Sequence, residues 1–248
     1  LPGAIRLVVG LGNPGKEHER DRHNAGFWLV ERLAASHGIV LRKDAKFQAL
    51  VGRMEAGGTG GAWLLLPQSY MNASGRPVQM LAGFFKIRPE EILVVHDELD
   101  FPPGTARLKQ GGGIAGHNGL KDISQRLATH DYWRLRLGVG KPPDREAGAD
   151  YVLHRPTAEE RAAIDAAIEN SLAVLPLCLA GDLQGAMQKL HTLDKPVAAK
   201  PAEPERKKVA EPALREEPKK AADPAKKEPE PAKESGIKSF LKSLTGRK

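Results

Sequence analysis

The stretch Ile5-Arg6-Leu7-Val8-Val9-Gly10-Leu11-Gly12-Asn13-Pro14-Gly15 admits two readings, and the choice between them decides the fold. Residues 5–9 form an apolar run with the character of a strand. Gly10, Gly12 and Gly15 then match the spacing of a dinucleotide-binding loop, with Glu31 about 20 residues on. Such a loop must open at once into a helix that packs on the sheet and turns its N-terminus to a pyrophosphate. Here Pro14 and Lys16-Glu17-His18-Glu19-Arg20-Asp21 follow, with no apolar face, and helical periodicity starts only at Ala25. The strand is retained and the nucleotide loop is rejected. Gly111-Gly112-Gly113 likewise lacks the lysine and hydroxyl of a P-loop.

Outward from this stretch the pattern keeps alternating. Phe27, Val30, Leu33 and Ala34 share one face of a helix over residues 25–37, which Gly38 stops. Residues 47–54 and 62–66 read as strands around the turn Gly57-Gly58-Thr59-Gly60-Gly61. Val78, Leu81, Ala82 and Phe85 form the stripe of a helix over 74–85, and Ile92-Leu93-Val94-Val95 is a fully apolar strand. Residues 105–109 and 134–139 alternate as strands around a helix at 118–127; helices at 158–175 and 183–190 close the pattern. Strands alternating with helices predict a three-layer α/β/α sandwich on a twisted mixed sheet.

The 248-residue chain carries a net charge of +7, unevenly spread. Residues 194–248 hold 15 Lys or Arg against 10 Asp or Glu, a net of +5, which leaves +2 for residues 1–193. Any nucleic-acid surface on the domain must therefore be a local patch. Three segments follow: a domain at 1–193, a Lys/Glu/Ala/Pro-rich linker at 194–234 expected to be disordered, and a short basic amphipathic segment at 235–248. In the last, Ile237, Phe240, Leu241 and Leu244 fall at helical spacing among lysines. This tail is expected to contact a ribosome, a membrane surface or an acidic protein, or to remain a solvated tail with no partner. No apolar run approaches the roughly 20 residues of a membrane span. The single cysteine, Cys178, sits in an apolar stretch and reads as a buried small hydrophobe. A reducing cytoplasm is the expected compartment.

Four polar islands carry the chemistry: Asn13 in the glycine loop with Arg22-His23-Asn24, Tyr70-Met71-Asn72, His96-Asp97-Glu98-Leu99-Asp100, and Gly116-His117-Asn118-Gly119. Three of them follow apolar strands, and in an open α/β sheet the carboxyl ends of strands form the ligand crevice. His23 is suited to act as a base if a carboxylate fixes one ring nitrogen. Asp97 is the candidate, and the competing reading is that it caps a turn into Phe101-Pro102-Pro103-Gly104. Asn13, Asn72 and Asn118 offer uncharged donors and acceptors to a carbonyl or an amide, against the ordinary reading of asparagine as a turn residue or helix cap. No serine or cysteine stands in a nucleophile context, so water is the expected nucleophile. The histidines and cysteine show no metal-ligand spacing. Lys109 and Arg136 are candidate phosphate contacts, or plain solvated charges.

Taken together, the islands resemble the bacterial-type peptidyl-tRNA hydrolases over residues 5–191. The ordered set G-L-G-N-P-G, R-H-N-A-G, Y-M-N-A-S-G, H-D-E-L-D and G-G-G-I-A-G-H-N-G-L-K-D-I carries the resemblance. It implies the same sandwich fold, no metal or cofactor, and hydrolysis of the ester between a peptide and the terminal ribose of tRNA, freeing stalled peptidyl-tRNA for translation. It implies His23 as general base, Asp97 as its support and Asn13 as oxyanion donor. Asn72, Asn118, Tyr70, Met71 and the position of His18 would contact substrate, and Lys109 and Arg136 the tRNA phosphate. A monomer is expected. His18 stands where the family usually has tyrosine, and Ile114-Ala115 replace smaller or more polar residues. The rival from another class is a non-catalytic RNA-binding protein, which would need no base–carboxylate pair.

Overall fold

The computed structural model describes residues 3–55, 61–142 and 148–193. The linker at 194–234, the amphipathic segment at 235–248 and most of the glycine-rich turn lie outside them. Seven strands form one sheet: β1 (Leu7–Gly10), β2 (Arg42–Asp44), β3 (Ala49–Met54), β4 (Ala62–Pro67), β5 (Ile92–Glu98), β6 (Ala106–Gln110) and β7 (Trp133–Gly138). Their order is β2-β3-β4-β1-β5-β7-β6. The central strands β4, β1, β5 and β7 run parallel, while β3 joins β4, β2 joins β3 and β6 joins β7 in antiparallel fashion. The sheet is mixed, as the alternation predicts.

Helices cover both faces, which is why β1, β4 and the first four residues of β5 are apolar without alternation. On one face α1 (Ala25–Ser36), α5 (Ala158–Leu172), α6 (Leu175–Ala180) and α7 (Leu183–Leu193) meet Val8, Leu93 and Val95 through Leu29, Leu33, Ile164, Leu175 and Leu190. On the other, α2 (Gly75–Phe84) and α3 (Asn118–Leu127) meet Leu7, Val9, Ile92 and Val94 through Val78, Leu81, Leu120 and Ile123. A short helix, α4 (Gly148–Tyr151), is tied to the residue after β7, the Tyr151 hydroxyl donating to Val139 O at 3.1 Å. Cys178 is fully buried in the first core and its thiol is pushed up to about 12 by that burial. Residues 158–180 are long and apolar enough to cross a membrane by composition. They form the separate helices α5 and α6, whose Ile164, Ala167, Ile168 and Leu175 are buried in the core.

The connections make β1 a switch point. The chain leaves β1 through α1 on one face and reaches β4 on one side of it; it leaves β4 through α2 on the other face and reaches β5 on the other side. Loops at the carboxyl ends of β1, β4 and β5 therefore open away from one another and leave a crevice between them. Three features differ from the sequence reading. β5 continues through His96, Asp97 and Glu98, since β7 supplies backbone partners as far as Glu98 opposite Gly138. The edge strand β2 is too short and too polar to show periodicity. The long C-terminal helix breaks after Leu172, and Pro176 lies in the first turn of α6, where a missing N–H costs nothing.

The strand β1 and the start of α1 touch backbone to backbone. A Cβ on Gly26 would overlap the Val95 carbonyl oxygen and the Leu11 backbone, and one on Gly10 would lie 2.5 Å from the Gly26 carbonyl. Backbone cannot yield here as a side chain could. Gly26→Ala is expected to destabilise the fold by about 2–3 kcal/mol, a typical overpacking cost, read as a lower midpoint in urea at unchanged slope. An alanine variant of native stability would show that the two elements are not locked at this point.

Candidate active site

His23 lies in a single 3-10 turn, Arg22–Asn24, at the foot of α1. Its backbone N–H donates to Val152 O at 2.9 Å, and that of Arg22 to His154 O at 3.2 Å. The Arg22 guanidinium donates to the carbonyls of His154 and Arg155 at 3.0 Å each and to Glu160 Oε2 at 2.7 Å. It also lies 4.1 Å over the Tyr151 ring. A planar fork with five donors fits this cluster as a lysine could not. Arg22 thus fastens residues 151–155, one wall of the site, to the turn that carries His23.

His23 Nδ1 lies 2.9 and 3.0 Å from the two carboxylate oxygens of Asp97. His117 Nε2 lies 3.0 Å from Asp97 Oδ1. Burial alone would raise the Asp97 carboxyl, but the charges and hydrogen bonds of His23 and His117 hold it well below the usual carboxylate range. Asp97 is therefore ionised and accepts from both rings. His23 Nδ1 must carry its proton, leaving Nε2 bare in the neutral ring. For His117 the tautomer follows from its other side: Nδ1 accepts from the backbone N–H groups of Gly119 at 3.2 Å and Leu120 at 3.4 Å, so the proton is on Nε2. His117 both caps α3 and grips Asp97. For His23, burial pulls the ring's proton affinity down, and the Asp97 charge, its hydrogen bond and the Asp21 charge outweigh it, so its pKa is raised.

Asn13 is held by two neighbours. Its backbone N–H donates to Asn24 Oδ1 at 2.8 Å, and Asn24 Nδ2 returns a bond to Asn13 O at 2.9 Å. Its side-chain Oδ1 accepts the Met71 N–H at 2.8 Å. With the oxygen so engaged, the amide presents Nδ2, a pure donor, to any further partner.

These groups line one cleft of about 770 Å³, which brings together Asn13, His23, Tyr70, Met71, Asn72, Asp97 and Asn118. Tyr70 stands at its rim, 68% exposed. Asn118 is the first helical residue of α3, and His117, not Asn118, supplies the cap. Lys109 and Arg136 lie outside the cleft lining, on the α3 side of β6 and β7. Arg136 Nε donates to Glu98 Oε2 at 2.9 Å, and Glu98 does line the cleft. Lys109 is exposed and has no carboxylate partner among the described residues. Arg134 bonds to the Gly111 and Gly113 carbonyls, which shapes the loop beside Lys109. His18 stands apart from the cleft lining: its Nδ1 lies 2.8 Å from Asp21 Oδ2, so the ring is turned to its own loop rather than to the cleft.

The sequence reading missed Arg22, Asn24 and His117 as site-forming residues, although each sits inside a quoted island. Asn24 reaches Asn13 across 11 positions, His117 reaches Asp97 across 20 and Arg22 reaches Glu160 across 138, separations at which spacing carries no signal. His23, Asp97 and His117 also form a set whose donor atoms lie within 4.8 Å of one another and could hold a metal ion. Both ring nitrogens facing Asp97 carry protons in this arrangement, which suits a carboxylate rather than a cation.

Residues 7–199 match the family model described as peptidyl-tRNA hydrolase. The peptidyl-tRNA hydrolase of Methylobacillus flagellatus is 55% identical over 191 residues, covering 77% of this chain and 98% of that protein. That of Nitrosospira multiformis is 54% identical over 188 residues, covering 76% and 98%. The crystal structure of peptidyl-tRNA hydrolase from Acinetobacter baumannii superposes with a TM-score of 0.73 at 44% identity, over 76% of this chain and 95% of that one.

His96 is the remaining member of the cluster. It is 1% exposed, donates from Nδ1 to Asp97 O at 2.6 Å, and its Nε2 has no hydrogen-bond partner among the described residues. Burial, then the repulsion that a second protonated ring at His117 would bring, keeps its pKa well below the ordinary histidine value, against the opposing pull of Asp97. The folded state thus holds His96 neutral, while the unfolded chain protonates it below pH 6.5. Its contribution is present above that pH and is lost as pH falls. From pH 7 to 5 the native chain is expected to lose stability relative to His96→Gln, by at most about 1.4 kcal/mol per pH unit for one proton. Parallel urea midpoints in the two proteins across this range would contradict the assignment.

Proposed function

The chain belongs to the peptidyl-tRNA hydrolase family and cleaves the ester that joins a peptide to tRNA, and we propose that it does so with His23 as general base on a water molecule. The observation that carries this reading is the ionised Asp97 carboxylate, which lies within hydrogen-bond distance of His23 Nδ1, accepts from its N–H and leaves Nε2 as the proton acceptor. Water attacks the ester carbonyl as Nε2 removes its proton. The carbonyl oxygen becomes an oxyanion, and Asn13 Nδ2 donates to it. When the tetrahedral intermediate collapses, the ribose oxygen leaves and takes the proton back from His23. Asp97 neutralises the transient imidazolium, and His117 keeps the carboxylate from turning.

Asn72, Asn118, Tyr70 and Met71 provide the walls along which the peptide and the terminal nucleoside lie. Lys109 and Arg136 engage a phosphate of the tRNA. Lys109 stands opposite Arg134 and Arg107 opposite Arg136 in the β6–β7 ladder, so all four share one face and Lys109 is diagonal to Arg136. Glu98 holds Arg136 by Nε, the guanidinium lies 4.3 Å over the Phe101 ring, and its terminal amino groups meet no carboxylate among the described residues. Every group invoked comes from one chain, which suits a monomer, and work on tRNA in translation and ribosome rescue suits the cytoplasm.

His23→Ala is expected to lower kcat by about 10²–10⁴ while binding of peptidyl-tRNA survives. Because the base must be neutral, native turnover should fall as pH drops through the raised His23 value. Lys109→Ala and Arg136→Ala should instead raise KM more than they lower kcat. Measured with purified protein and peptidyl-tRNA, near-native kcat in His23→Ala removes the base. An unchanged KM in both cation variants removes the phosphate site.

A further inference from the structure

We propose a second RNA-contact surface, on the face of β3 and β4 beside the end of α2, that stacks a base of an unpaired RNA segment on Phe84. None of its residues lines the catalytic cleft. Phe84 is 56% exposed at the last position of α2. It is the outermost of a run of packed rings. Phe84 meets Phe85 edge-on at 4.9 Å and Phe47 at 5.7 Å, and Phe85 stacks on Trp63 at 4.2 Å. The ring is therefore held rigidly, which lowers the entropy lost when a partner stacks on it.

The rim is cationic. Lys46 Nζ lies 3.2 Å from the Phe84 ring centroid, over one face of the ring, so a base would take the other face. Lys86 follows the same helix end and is exposed. Arg42, opposite Val51 on the edge strand, shares the face of β3 that carries Val51 and Arg53. Arg42, Lys46 and Lys86 have no carboxylate partner among the described residues, while the nearby acids are committed. Asp44 accepts the N–H groups of Lys46 and Phe47, Glu55 pairs with Arg53, and Glu91 lies 3.5 Å from Arg6 and Arg88. Unpaired cations around a fixed, exposed ring match what a sugar–phosphate chain with a splayed base requires. A lipid surface fits less well. Stable interfacial anchoring needs several exposed apolar groups, and here Trp63 and Phe85 are spent on each other. The surface is separate from the ester-cleaving site and does not depend on the roles given to His23 and Asp97. Its RNA is thus an unpaired segment separate from the peptidyl-tRNA being cleaved.

The test uses the full chain and a fluorescein-labelled oligouridine of roughly ten nucleotides, without an esterified end, followed by anisotropy over a salt series. Phe84→Ser is expected to weaken binding about tenfold with an unchanged salt slope, since stacking is lost and no charge is removed. Phe84→Trp should retain native affinity. Lys46→Gln should reduce the slope by about 0.7, one phosphate contact on a single strand. All three should keep native kcat and KM for peptidyl-tRNA, which also shows that they fold. Native oligouridine affinity and slope in Phe84→Ser and Lys46→Gln would overturn the proposal. So would phosphatidylglycerol vesicles losing affinity on these substitutions while oligouridine does not.

Discussion

The site depends on one buried carboxylate shared by two imidazoles. Asp97 is 3% exposed at the end of a strand that is apolar for its first four residues. A lone anion there would be too costly to keep, so it must be fully hydrogen-bonded or neutral. Two ring N–H groups, one from the foot of α1 and one from the head of α3, hold it charged. The same bonds fix both rings. His23 is left with a bare Nε2, and His117 is left with a bare Nδ1 that caps the helix bearing Asn118. Charge, tautomer and helix start are one coupled arrangement, and none of the three is independent of the other two.

The rest of the fold brings those three elements within reach. Helices α1 and α3 lie on opposite faces of the sheet, and His23 and His117 both reach Asp97 near the end of β5. The Gly10 and Gly26 contact lets α1 sit low enough for His23 to reach Asp97. Asn24, one residue on, reaches back to fix the Asn13 loop, and Asn13 in turn takes the N–H of Met71 from the loop after β4. Arg22, one residue before, draws in the wall at 151–155. Three consecutive residues thus tie four separate segments to one point. Substitution in this turn should be felt as misplacement of the base as much as loss of a contact.

The parts legible in the sequence were those written in local pattern. Apolar runs at residues 5–9, 62–66 and 92–95 and the stripes of α1 and α2 were enough for a mixed sandwich, because each marks an element buried in the core. His23, Asp97 and Asn13 stood out as polar groups in glycine-bounded loops after strands. What spacing could not carry was long-range pairing. The extension of β5 through His96–Asp97–Glu98 depends on backbone partners in β7. The grip of His117 on Asp97 spans 20 positions, and the reach of Arg22 to Glu160 spans 138. His18 shows the converse. Its sequence position suggested substrate contact, but a near neighbour, Asp21, satisfies its ring.

The central claim is that Asp97 sets the tautomer of His23. Nitrogen-15 NMR of the histidine rings in the full chain, titrated through neutral pH, reads this directly. The account predicts that neutral His23 carries its proton on Nδ1 and shows an unprotonated Nε2. It also predicts that the transition to the doubly protonated ring lies above the ordinary histidine value and returns toward it in Asp97→Asn. A neutral His23 with its proton on Nε2, or a transition that Asp97→Asn leaves in place, would contradict it.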